Sequence, residues 1–468
     1  MEAAGKSLKF LENVYRIKVP FFQRNYVWGE ENWQDLLDEL YYNTKSNFLG
    51  SLIFKKLPTS TGDKQKVLLI DGQQRLTTLA IITKTLHETF PSNIQENTIK
   101  MINRILFSQE DLTESIYEIK IEHSRIDKKY FELIINSKNP EEFLKGVNLK
   151  DSKLLECYDY CLKYISKKSE SKNKDLFKRL YSQDYKIVVV VDLDDYDDEQ
   201  NIFDVINNSG LRLSIADTIK NNIFQKLLDL IQDEEKVIKI YENYWNDIFN
   251  KDEEAIKYWE TIKVTGRLKR TNIEILLHSV AIIENIYDPD KDTLEQLPAI
   301  YQEKFKNMNA EELTAFIKTI SEYAILYRDK ILYLNNCNFS FNDYEKRLFN
   351  ILDVCDITTF HPYILHVYKS NKDNLIKIQE KLEKLEKFVI RRFIAKKETK
   401  SYNKICKEFI NDEAAIDNKL LETSDKEVKD GLKLISNKAA TLVLFWVELY
   451  RRAKDKKYGE KEIKKKKK

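Results

Sequence analysis

The sequence predicts an α+β N-terminal domain followed by an all-α C-terminal domain, and three observations predict it. Residues 66–86, KVLLIDGQQRLTTLAIITKTL, read as a short apolar strand, a sharp turn at Asp71-Gly72, and a helix. Its apolar positions Leu76, Leu79, Ala80, Ile82 and Leu86 fall at helical spacing. Residues 185–193, YKIVVVVDL, are apolar on both faces, as a strand inside a sheet is. Beyond about residue 235 nearly every periodic segment has the helical repeat. The division that follows is a first domain over 1–232 with a helical insertion at about 95–182, a helical domain over 233–450, and a basic tail over 451–468.

Taken in order, residues 14–19 alternate and read as a strand that Pro20 ends. Gln23 and Arg24 then sit in a loop with Tyr26, Val27 and Trp28. Residues 32–42 form an amphipathic helix with Trp33, Leu36, Leu37 and Leu40 inward, residues 48–54 a strand, and residues 58–64 a polar turn. The insertion repeats apolar helical stripes and shows nothing that suggests chemistry. In it, Cys157 and Cys161 read as core and His123, in a charged segment, as exposed. An acidic cluster ends the strand at 185–193: Asp192, Asp194, Asp195, Asp197, Asp198 and Glu199. Carboxylates there suit a metal ion, but the favoured reading is strand-ending and helix-starting residues. A helix over 199–207, a turn at Asn208-Ser209-Gly210, and a helix over 214–228 capped by Ser214 complete the first domain.

In the second domain the strongest helices are 241–258, 273–286, 311–327, 344–352, 375–395 and 439–450. Arg267, Lys269 and Arg270 read as a loop between helices. Arg391 and Arg392 lie beside the apolar face of Phe388, Val389, Phe393 and Ile394 and are candidates for contact with DNA, against a solvated face as the competing reading.

Composition excludes several classes. No run of about 18 apolar residues occurs, so no membrane span is expected, and the N-terminus lacks an apolar signal core. Five scattered cysteines show no metal-ligand spacing and fit reduced thiols in a cytoplasm. The net charge of +2 hides a division: residues 451–468 hold eleven Lys and Arg against three Asp and Glu, which leaves 67 against 73 elsewhere. The body is therefore net negative, and a nucleic-acid site must be a local groove rather than a basic coat.

The turn at 71–75 carries chemistry. A helix N-terminus offers free N–H groups and the positive end of the dipole to an anion. Gly72 permits close backbone approach or an unusual φ, and Arg75 adds a permanently charged fork. Asp71 as a helix cap and Arg75 as a solvated residue is the competing reading.

VPFFQRNYVWGEENWQDLLDEL (19–40), FLGSLIF (48–54), IDGQQRLTTL (70–79) and FDVINNSGLRLSIADTIKNNIF (203–224) stand in this order. Together they resemble the N-terminal domain of the GmrSD type of modification-dependent, type IV restriction endonucleases, a family related in fold to ParB and sulfiredoxin domains. The resemblance implies binding and hydrolysis of an NTP with Mg²⁺. Gln23, Arg24, Gly72, Arg75 and Thr77, with Asn207 and Asn208 as a facing wall, would hold the nucleotide. Arg24 and Arg75 would neutralise phosphoryl charge, and Gln73 or Gln74 would orient water or a phosphate oxygen. Asp71 would hold Mg²⁺ directly or through water, or only cap the helix. Tyr26 and Trp28 are the candidates for stacking on a base of modified phage DNA, against the competing reading of both rings as core residues that staple the loop to the first helix.

Fused members of the family continue into an HNH-type nuclease domain. Here the one His-Pro is His361-Pro362, and its spacing to His366 does not put both on one helical face. The expectation is a chain without a DNA-cutting centre, served by a separate HNH-type nuclease subunit or by a C-terminal domain missing from this chain, with a homodimer possible. Two alternatives stand beside it: a ParB-like DNA-binding module without turnover, and a nuclease centre in the ParB-like domain itself.

Overall fold

A computed structural model of the chain describes residues 2–42, 48–57, 64–91, 96–109, 117–123, 125–193, 214–265, 268–331, 334, 337–455 and 463–464. The chain divides into two compact units, Met1–Arg212 and Leu213–Lys468. The first is mixed α/β and the second is rich in helix.

In chain order the first unit contains β1 (Glu2–Lys6), β2 (Arg16–Lys18), α1 (Glu30–Tyr42), β3 (Ser51–Lys56), β4 (Lys66–Asp71) and α2 (Gln73–Thr89). Then follow α3 (Glu96–Leu106), β5 (Phe107–Gln109), β6 (Tyr117–Ile119), β7 (Ile121–Glu122), α4 (Arg125–Asn136), α5 (Pro140–Lys145), α6 (Lys153–Ser166), α7 (Glu170–Tyr181) and β8 (Val188–Leu193). Six strands form one sheet in the order β1-β8-β3-β4-β2-β7. β3 runs parallel to β8 and antiparallel to β4, while β2 runs parallel to both β4 and β7. β8 lies between β1 and β3 with Val188, Val190, Val191 and Leu193 buried, as its unbroken apolar run demands.

Helix α2 is the hub of this unit and packs against α3, α4, α6 and α7. It is buried nearly all round, although four of its buried residues are threonines. Three of them satisfy their own hydroxyls: Thr78, Thr83 and Thr85 donate to the carbonyls of Gln74, Leu79 and Ile81 at 2.7, 2.8 and 2.8 Å. With the hydroxyls turned back on the helix, the methyl groups are free to pack. Cys157 and Cys161 of α6 are fully buried in the same core.

Two expectations for the insertion need correction. It is not purely helical: β5 and β6 pair, and β7 extends the central sheet with Ile121 opposite Ile17. His123 is not exposed. It is 3% accessible, packs edge-on to Phe131 and shares a 3.2 Å hydrogen bond with the Thr77 hydroxyl.

The second unit corrects two further expectations. The segment 241–258 is broken: Glu234–Tyr241 runs through a π turn and ends after Phe249, and a new helix, Glu253–Glu260, starts where the Asp252 carboxylate accepts the Ala255 N–H at 2.8 Å. Lys269 and Arg270 lie in a β-strand, Leu268–Thr271, paired with Ile262–Thr265. Arg270 turns inward onto His278 Nδ1 (3.3 Å) and Thr358 Oγ1 (3.2 Å). Ser214 does cap Ile215–Ile231, accepting the Asp217 N–H at 3.0 Å.

Candidate nucleotide site

The site is built where β4 ends and α2 begins. Between Ile53 and Phe54 of β3 the register with β4 shifts, so that Ile53 faces Asp71 and Phe54 faces Leu69. Ile70 is the extra residue of this bulge, and bulges re-aim the residues that follow them. Gln23 closes the bulge: its Nε2 donates to the carbonyls of Leu69 (2.8 Å) and Ile70 (3.0 Å).

Gly72 then reverses the chain. It is the N-cap of α2 at φ +90°, and a Cβ there would stand 2.5 Å from Leu52 Cδ2 and 2.8 Å from the Ser51 carbonyl. Only glycine fits this left-handed, crowded position. No side chain caps α2 among the described residues, so its first-turn N–H groups remain available to an anion.

Around this terminus the predicted residues divide into two sets. Gln74, 7% accessible, is a clamp: its Oε1 accepts the N–H groups of Val27 (2.8 Å) and Trp28 (3.2 Å), and its Nε2 donates to the Asn25 carbonyl at 3.2 Å. Arg75 is also architectural in part. Its Nη1 donates to the Ser51 carbonyl at 2.8 Å, and its guanidinium occupies the space that the missing Cβ of Gly50 leaves. Thr77 is fully buried and engaged with His123. The residues left to meet a ligand are Arg24, Asp71 and Gln73. Arg24 is half-buried and makes no hydrogen bond or ion pair among the described residues. Gln73 is 8% accessible and has no hydrogen-bond partner among them.

Asp71 reports the electrostatics of the site. Burial pushes its carboxyl above the usual range, and the Gly72 N–H, Arg75 and Arg24 pull it back in that order. Burial likewise lowers Arg75, with Asp71 opposing. One desolvated carboxylate thus faces two guanidinium groups, so the site as a whole is cationic. Among the described residues no three His, Cys, Asp or Glu side chains gather as a metal-ligand set. β8 runs antiparallel to β4, so Leu193 and Asp71 end their strands in opposite directions. Asp192 is ion-paired to Lys6 at 3.4 Å. Asp194–Glu199, Asn207 and Asn208 lie outside the described residues.

Of the two readings for Tyr26, its surroundings are those of the core residue. It is 3% accessible, its hydroxyl shares a 2.6 Å bond with Thr78 and accepts from Trp33 Nε1 at 2.9 Å. Tyr26→Ala is expected to destabilise the fold by about 3–5 kcal/mol, as truncation of a buried ring does. Thermal melting and binding to modified and unmodified DNA read this together. Selective loss of modified-DNA binding with an unchanged melting temperature is the contrary result. Trp28 is half-buried and packs against the same core. In the second unit Arg391 is paired with Asp425 (2.7 Å) and bonded to the Thr423 carbonyl (2.6 Å), while Arg392 lies over the rings of Phe388 and Tyr402.

Sequence reasoning missed one residue at this site. Asp127, at the start of α4, is 5% accessible, and its Oδ2 accepts the Tyr26 N–H at 2.7 Å. The two residues are 101 apart in sequence, and no local signal announces the contact.

Residues 7–224 match the family described as the GmrSD restriction endonuclease N-terminal domain. An uncharacterized protein of Methanocaldococcus jannaschii is 23% identical over 266 residues, a match that covers 48% of this chain and 42% of that protein. The chain therefore spans less than half the length of this relative. Residues 7–224 thus carry a domain of the GmrSD restriction endonuclease N-terminal domain family.

Proposed function

We propose that the first unit binds and hydrolyses a nucleoside triphosphate with Mg²⁺ at the N-terminus of α2. In this reading it is the part of a type IV restriction system that senses modified phage DNA, and DNA is cut by an HNH-type nuclease subunit or domain outside this chain. The observation that carries the reading is the uncapped α2 N-terminus behind Gly72, with Arg24, which has no hydrogen bond or ion pair among the described residues, acting on Asp71 beside it in a domain of this family. Phosphate oxygens accept the first-turn N–H groups, and Arg24 neutralises the charge that grows on the transferring phosphoryl group. Arg75 is held by Ser51 and adds fixed positive potential. Gln73 orients the attacking water. Mg²⁺ suits one carboxylate, Asp71, together with phosphate oxygens and water, since it keeps much of its hydration.

Phosphate release from ATP, GTP, CTP and UTP, with and without modified phage DNA, tests this directly. Magnesium-dependent release, stimulated by modified DNA, is the expected result. A chain that neither releases phosphate nor binds any of the four nucleotides in Mg²⁺ overturns it.

A further inference from the structure

We infer that Asp127 is a positioning residue for Arg24, so that the helical insertion sets the geometry of the nucleotide site. This rests on the site assignment above and extends it to a residue outside every block that carries the family resemblance.

Arg24 sits on a loop with no regular secondary structure, and a cation on a loop stabilises a transition state only if the loop is held. The holding contacts can be followed residue by residue. Upstream of Arg24, Gln23 is fixed to the bulge of β4. Downstream, Gln74 holds the Asn25 carbonyl and the N–H groups of Val27 and Trp28. Between these contacts lies the Tyr26 N–H, two residues from Arg24. That N–H is taken by Asp127 at 2.7 Å, the length of a charge-assisted bond. The Tyr26 side chain goes into the core, so its backbone cannot shift without moving a buried ring.

The acceptor is itself held. Asp127 is the third residue of α4, where a carboxylate is favoured by the helix dipole, and it is 5% accessible. A second contact ties the same region to the other wall of the site: His123, just before α4, bonds Thr77 in the second turn of α2. The insertion therefore touches both the Arg24 loop and the helix that carries Asp71, Gln73 and Arg75 at its start. Removing Asp127 leaves the buried Tyr26 N–H without an acceptor and releases the loop on the side of Arg24.

The test is a double-mutant cycle on the full chain, read by phosphate release and by thermal melting. Asp127→Ala is expected to lower kcat by about 10- to 100-fold, the scale of a displaced catalytic group, with a smaller change in KM. Asp127→Asn, which keeps an acceptor oxygen, is expected to restore most of kcat. In an Arg24→Ala background, Asp127→Ala is expected to add little, because its effect passes through Arg24. Three results overturn the inference: kcat unchanged in Asp127→Ala, no rescue by Asp127→Asn in a folded protein, or an equal further loss in the Arg24→Ala background. Failure of the site assignment looks different, because then the unaltered chain shows neither turnover nor nucleotide binding.

Discussion

Lowering the pH from 7 to 5 is expected to destabilise both units, and the second about twice as much as the first. His123, His278 and His361 are 3, 8 and 6% accessible. Burial depresses each to about 3; Arg270 adds to the effect on His278, and Arg270 and Lys263 add to it on His361. The unfolded chain takes up a proton at each near the ordinary histidine value of about 6.5, and the folded chain refuses it. The unfolded state therefore binds more protons below that pH, so stability is complete above it and falls as pH drops. Each histidine removes about 2 kcal/mol by pH 5. That is one histidine in Met1–Arg212 and two in Leu213–Lys468. Against a typical stability of about 5–15 kcal/mol the loss is large. The two half-buried histidines, His87 and His366, are shifted in the same direction. Most carboxylates contribute only lower on the scale, and the buried carboxyls that are raised, Asp71, Glu260 and Glu386, act in the opposite sense, so a fall between pH 6.5 and 5 is the mark of the histidines.

Denaturant titration at several pH values, with hydrogen exchange to resolve the two units, gives the measurement. His361→Phe keeps the ring against Tyr327 and removes the titrating group, and is expected to halve the slope of the second unit. Flat midpoints between pH 7 and 5 would mean that the folded chain accommodates the protons.

The same burial explains what the sequence concealed. Strand β4, the Gly72 turn and helix α2 were legible because each is decided by neighbours in sequence. The packing of α2 was not, because threonines that bond their own backbone carry no apolar signal. Ile70 shows no sign of a bulge in the run VLLID; the bulge exists because β3 and Gln23 accept it. Gln74 was read as a group for water and proved to be the clamp of a loop 46 to 49 residues away. His123 was read as exposed from its charged neighbours, although Thr77 and Phe131 decide its surroundings. Motif spacing thus pointed to this turn, while the division of its residues into those bonded to the fold and those without a partner among the described residues required long-range contacts. Gly50 illustrates the point: its value lies in making room for Arg75, which sequence spacing cannot express.

That division makes Arg24, rather than Arg75, the decisive residue to change. Arg75→Ala removes the donor to the Ser51 carbonyl and empties the space beside Gly50, so lost activity there mixes chemistry with architecture. Arg24 is half-buried and has no hydrogen bond or ion pair among the described residues. Arg24→Ala is therefore expected to change stability by no more than about 0.5 kcal/mol. Its effect on turnover should be about 10²- to 10³-fold, the cost of removing a preorganised charge stabiliser. Arg24→Lys restores part of this, since a point charge replaces the fork. A second signature separates this role from simple loss of binding. Arg24 is one of the charges that hold the buried Asp71 carboxyl down. Without it Asp71 is protonated at higher pH, so the acid limb of the pH–rate profile should move upward in Arg24→Ala. The profile of Arg24→Lys should stay close to that of the unaltered chain, because the positive charge remains. Turnover unchanged by Arg24→Ala, or lost only in step with the melting temperature, would remove Arg24 from the chemistry of the α2 terminus.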